Sequence, residues 1–175
     1  MFDASIYSPE IQYILGDGNM PMPLGPGVPK KEYRSALMNF DPFRDLGNLV
    51  SDRDMASACH SALWLYHNYL DESHTISQDL HTPTGSMLHA IMHRREPDAS
   101  NSKYWWRRVG HHPVLNEMHA VAKFLQWRLW DTDGFVDLCE KHRGTGSEHE
   151  LLLQQLQLME WQKLFAYCWR EAISS

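Results

Sequence analysis

A chain of 175 residues with a net charge of −6 is long enough to bury one core and too acidic for broad nucleic-acid binding, which needs a basic footprint to displace counterions. Its hydrophobic share of 43% and charged share of 22% are those of a globular domain, and no apolar run approaches the roughly 20 residues of a membrane-spanning helix. The three cysteines, Cys59, Cys139 and Cys168, are odd in number and form no C-x-x-C, so neither a disulfide framework nor a zinc knuckle follows, and reduced thiols in a cytoplasmic protein are expected.

The opening residues lack a basic region followed by an apolar core, so no secretory signal is expected. Residues 16–30, GDGNMPMPLGPGVPK, hold four of the nine prolines and four of the ten glycines. Such a stretch sustains neither helix nor central strand, because proline lacks an N–H and glycine costs backbone entropy. Residues 1–30 therefore read as an extended arm, laid over the domain or wrapped around a partner, and residues 31–175 as one helical domain. A short helix before Pro42 opens that domain.

From Ser51 onward the apolar residues recur at helical spacing. Ser51 and Asp54 have the form of a capping box for a helix over 53–72, with Ala58, Cys59, Ala62, Leu63 and Tyr66 among its apolar side. HTPTGS at 81–86 interrupts with Pro83 and Gly85, and Thr84 is a candidate cap for a helix over 85–95 that ends at Pro97. A capped helix over 98–110 stops at Gly110, and Pro113 suits the first turn of another over 113–130, with Val114, Met118, Val121, Leu125 and Leu129 on one side. After the DTDGF turn comes a short helix to His142. Ser147 and Glu150 then cap a long last helix whose Leu152, Leu156, Met159 and Leu164 read as core. Period-two strands and internal repeats are absent. The fold class is mainly α: a single-domain helical bundle of about five to seven helices with a Pro/Gly-rich N-terminal arm.

The chemistry concentrates in residues 60–96. Histidine recurs at 60, 67, 74 and 81, a spacing of seven, and again at 89 and 93, a spacing of four. Positions seven apart on a helix are offset by about 20°, so His60 and His67 share a stripe that Asp71, and His74 if the helix continues, would join. His89 and His93 stand one above the other, with Glu96 three residues on. Two imidazoles and a carboxylate on one face match the donor set of a divalent transition metal. The residue after His89 is Ala90, where zinc-protease helices carry a glutamate base, which argues against that chemistry. The expected metal ligands are thus His67, Asp71, His89, His93 and Glu96, with zinc, iron or manganese as the ion. His67, Asp71 and His74 are the expected proton-transfer groups. The bland alternative is that these imidazoles are surface residues, or core residues satisfied by neighbouring tyrosines and carboxylates.

Arg94, Arg95, Lys103, Arg107 and Arg108 place five cations within 15 residues, beside Tyr104, Trp105 and Trp106. Guanidinium forks hold carboxylate or phosphate, and the aromatics stack a ring or a cation. Arg94, Arg95, Arg107, Arg108, Tyr104 and Trp105 are the candidate substrate-binding residues for a small anion. The competing account ties Arg94 and Arg95 to nearby acids and puts the tryptophans in the core. A Ser73–His74–Asp71 triad is disfavoured, because adjacent helical residues diverge by about 100° and no G-x-S-x-G elbow exposes the serine. P-loop, G-x-G-x-x-G and paired E-x-x-H signatures are absent.

The expectation is a small cytoplasmic enzyme of hydrolase or lyase type with a His/Asp-rich site acting on a small anion. Neither nucleic acid nor membrane is an expected partner. A non-catalytic binder of a small anionic or aromatic ligand is the rival, and a homodimeric module using the arm and the last helix is the third reading.

Overall fold

The computed structural model describes residues 2–16, 18–124 and 130–174. Among the described residues there is no strand, and the helices are α1 (Pro9–Leu15), α2 (Lys31–Asn39), α3 (Arg53–Tyr66), α4 (Leu70–Ser77), α5 (Pro83–Arg95), α6 (Ala99–Val109), α7 (Pro113–Phe124), α8 (Thr132–His142) and α9 (Glu148–Ile173). The chain is mainly helical, as expected, but it is cut into nine helices among the described residues rather than five to seven. Leu125 and Leu129, assigned to the apolar side of a helix over 113–130, lie outside the described residues. No helix among those described is long and apolar enough to cross a membrane.

Two departures account for the extra helices. The first is α1, inside the stretch expected to be extended. Ser8 accepts the Ile11 N–H at 3.3 Å and Pro9 occupies the first turn, a start signal that the proline-rich surroundings hide. Its Ile11, Ile14 and Leu15 are buried. The second is a break in the helix expected over 53–72. His67 closes α3, with its N–H on the carbonyls of Leu63 and Trp64, and Asn68 takes a φ of 66°, the left-handed region that asparagine tolerates better than most residues. The chain turns there, and α4 starts afresh in a new direction.

Caps shift by a residue or two from their expected places. Asp52, not Ser51, accepts the Met55 N–H (3.0 Å), while the Ser51 hydroxyl donates to the carbonyl of Ala172 at the far end of α9. Thr82, not Thr84, caps α5 by accepting the Gly85 N–H at 3.0 Å. Gly85 is required by crowding, since a Cβ there would sit 2.2 Å from the carbonyl oxygen of Leu80. Ser147 does cap α9, accepting the Glu150 N–H at 3.2 Å. The Glu150 carboxylate reaches back to the N–H groups of Gly144 and Gly146, both at 2.7 Å.

Helix α5 lies at the centre. Every residue from Thr84 to Arg95 is buried, because α4 and α6 flank it and α3 and α8 close the remaining sides. Trp161 of α9 is fully buried, stacks on Tyr66 with centroids 4.3 Å apart, and donates its indole N–H to the carbonyl of Ala62 at 2.9 Å. That contact fixes α9 along α3. A helix buried on all sides places its polar residues where each needs a partner, since an unpaired polar group away from water costs several kcal/mol, about 1–3 by mutation. In α5 those residues are His89, His93, Arg94 and Arg95.

Candidate metal centre

His74 projects from α4, half-buried, toward His89 and His93 on α5, which are 3% and 6% exposed. Ring centroids are 4.5 Å apart for His74–His89, 4.7 Å for His89–His93 and 5.4 Å for His74–His93. One ring nitrogen from each residue lies within 4.8 Å of the other two, close enough to hold a metal ion. A tetrahedral ion with nitrogens at about 2.0–2.1 Å needs them roughly 3.3 Å apart, so modest ring rotation closes the set. The i, i+4 spacing aligns His89 with His93. The antiparallel return from α4 through residues 78–82 brings His74 opposite them.

Hydrogen bonds select the nitrogen that each buried ring can offer. Ser77 has one hydroxyl hydrogen and gives it to the carbonyl of His74 (3.2 Å), so the Nδ1–H of His89 donates to the Ser77 oxygen at 3.1 Å and Nε2 keeps its lone pair. His93 directs Nδ1 to the Glu96 carboxylate at 3.0 Å, and its Nε2 accepts from the Asn101 amide at 3.1 Å. A carboxylate behind a histidine is the arrangement that orients metal-bound imidazoles and raises their basicity. Burial, then the neighbouring His93 and His74, push the His89 pKa down to about 3. Burial also lowers that of His93, opposed by Glu96. Both rings are therefore neutral near pH 7, the form a metal requires.

The other expected ligands lie elsewhere. His67 is fully buried at the end of α3, with Nε2 2.8 Å from the carbonyl of Ile14 and the ring 4.2 Å from that of Tyr33. It fastens α1 to α3, and burial lowers its pKa to about 4. Asp71 is exposed on the first turn of α4, because the break at Asn68 separates it from the His67 stripe. Glu96 stands behind His93 rather than among the three nitrogens. His60 meets the carbonyl of Leu37 at 3.0 Å, His81 is exposed, and the Ser73 hydroxyl faces Ser61 at 3.0 Å.

The arginines divide in the same way. Arg94 and Arg95 have no exposed surface. Arg94 pairs with Glu160 and donates to Gln157 (3.2 Å), both on α9. Arg95 donates to the carbonyls of Leu65 (2.6 Å), Pro26 (3.1 Å) and Gly25 (3.2 Å) and to the side chain of Asn68, clasping residues 25–26 against the end of α3. With the core positions of Met22 and Leu24, this lays residues 18–30 across the domain. Arg107 faces Asp133 at 3.9 Å on the surface. Arg108 lies over the rings of Trp105 (5.3 Å) and Tyr104 (5.8 Å), and Trp105 in turn packs 4.2 Å from His89. Among the candidate anion-binding residues, Trp105 thus adjoins the triad, with Tyr104 and Arg108 packed against its ring.

Ser77 and Asn101 escape the sequence reading as partners of the triad. Ser77, three residues past His74 and so on its face of α4, carried a usable signal. Asn101 carried none, since it belongs to a helix whose placement spacing alone does not reveal. Compared with known proteins, the chain matches no family model, no curated protein and no solved structure.

Proposed function

We propose that His74, His89 and His93 bind a divalent transition ion, and that the protein is a small cytoplasmic enzyme of hydrolase or lyase type acting on a small anion. The observation that carries this reading is the convergence of three imidazoles, two of them buried and neutral, with Ser77 and Glu96 on the Nδ1 atoms of His89 and His93. An all-imidazole set suits zinc or iron better than manganese. Three protein ligands is the count of catalytic rather than structural zinc sites, which leaves one position for water or substrate. An ion held there polarises a substrate oxygen or lowers the pKa of the water it binds. Burial of all three free cysteines fits a reducing compartment.

The test is the metal content of protein purified without an affinity tag. One zinc or iron per chain is expected, and none in the His89→Ala/His93→Ala double variant. His74→Ala, at the half-buried position, is the control for folding: it should keep the native circular dichroism and lose most of the metal. Wild-type protein that takes up no ion from excess zinc, or variants that retain it, would exclude the metal centre. A second reading, a non-catalytic receptor for an anion, draws on Arg108 stacked over Trp105. It predicts ligand binding that is indifferent to those histidine substitutions.

A further inference from the structure

A cleft of about 380 Å³ lies between the α4–α5 turn and α6. Its walls include Trp105, the ring that packs on His89, together with His81, Thr82, Ser86 and Arg108, and no carboxylate is among the lining residues. Ser86 is 7% exposed, borders the cleft, and among the described residues its hydroxyl has no hydrogen-bond partner. The hydroxyl oxygen is open to the cleft, where a ligand can replace solvent on it. Arg108, unlike Lys103, Arg107 and Arg143, forms no ion pair among the described residues, and its guanidinium is held over Trp105. His81 and Thr82, at the turn into α5, complete the polar side of the cleft.

We propose that this cleft is an oxyanion subsite, in which Arg108 and the Ser86 hydroxyl hold the phosphate or carboxylate group of a small ligand. Those donors are a guanidinium and a hydroxyl, groups by which proteins bind such anions. Ser86 and His89 are three residues apart on α5, about 4.5 Å along its axis. A ligand anchored at Ser86 therefore extends past Trp105 to the histidines within the length of a small molecule. That extension rests on the metal reading, whereas the subsite itself does not.

The experiment is titration of chelator-treated protein with inorganic phosphate, and separately with acetate, followed by amide NMR. Saturable shifts of the Ser86 and Arg108 amides are expected with at least one of the two, and the tighter of them identifies the class of oxyanion. Arg108→Gln should weaken binding about tenfold, and Ser86→Ala by a smaller but measurable factor. Shifts that never saturate, or that are the same in both variants as in wild type, would overturn the subsite. His74→Ala, at a residue that lines no part of the cleft, separates the two proposals. In metal-free protein it should leave phosphate affinity unchanged, so loss of the metal centre alone does not remove the anion site.

Discussion

His89 and His93 face α4 and meet a third imidazole, whereas Arg94 and Arg95, next along the same buried helix, face α9 and residues 25–26 and meet oxygens. Each arginine donor that finds a carbonyl or carboxylate is consumed in holding two segments together. The imidazoles also have partners, but Ser77 and Glu96 take the Nδ1 atoms, which leaves Nε2 of His89 open and that of His93 holding only the Asn101 amide, a donor that a metal can displace. His67 sits with the arginines in this respect, its Nε2 spent on the carbonyl of Ile14. Burial of a polar residue therefore does not distinguish a fastener from a binding group. The identity of its partner does.

The sharpest way to break this contrast is to remove a fastener. Arg94→Ala leaves the Glu160 carboxylate buried without its partner and should cost about 3–5 kcal/mol, read by urea denaturation. Replacing both residues by apolar ones of similar volume should recover most of the loss. An Arg94→Ala protein of wild-type stability would mean that the pair is not a fastener at all.

Acid tests the same distinction through protons. His67 and His112 have pKa values near 4 because of burial, against an ordinary value of 6.5. The unfolded chain then binds more protons than the folded one between those values. Stability is complete above about pH 6.5 and falls as the pH drops toward 4, by on the order of 1–3 kcal/mol for each histidine. Urea midpoints at pH 7 and pH 5 measure the fall. Zinc-loaded protein should lose stability more steeply over that range than metal-free protein, because protons displace the ion from the triad but have nothing to displace at His67. Equal slopes would count against the triad as a metal site.

The smallest effects sharpen the comparison within the site. Glu96→Gln should weaken zinc affinity by about tenfold or more, as loss of an orienting carboxylate does elsewhere. Asn101→Ala should strengthen it a few-fold, since the amide competes with a metal for the His93 Nε2 lone pair and a hydrogen bond of this kind contributes about 0.5–1.5 kcal/mol net. Competition titration with a chromophoric zinc chelator reads both. A loss on Asn101→Ala would show that the amide positions the ring instead.

Much of the helical architecture was legible because it follows from local spacing. The period of apolar residues located α5, α6, α8 and α9 to within a few residues and the start of α3, and Ser147 was recognisable as a cap from Glu150 three positions on. The break at Asn68 was not legible, since no proline or glycine marks it. Its left-handed turn is held by the Arg95 guanidinium, which arrives from 27 residues away. That one turn moved Asp71 out of the expected site and let His74 in. The same holds for α1, whose Ser8–Pro9 start was present in the sequence but was obscured by the prolines and glycines that follow.

The sequence by itself determined that the chain is helical and that His89 lies over His93, because both depend on a fixed rotation per residue. Only the tertiary structure decided that His74 completes the group, that His67 serves a backbone carbonyl, and that Arg94 and Arg95 turn inward while Arg108 stays at the surface. The physical reason is that a side chain's role depends on what the neighbouring helix presents to it. That is set by where the chain turns between helices, which helical periodicity does not encode.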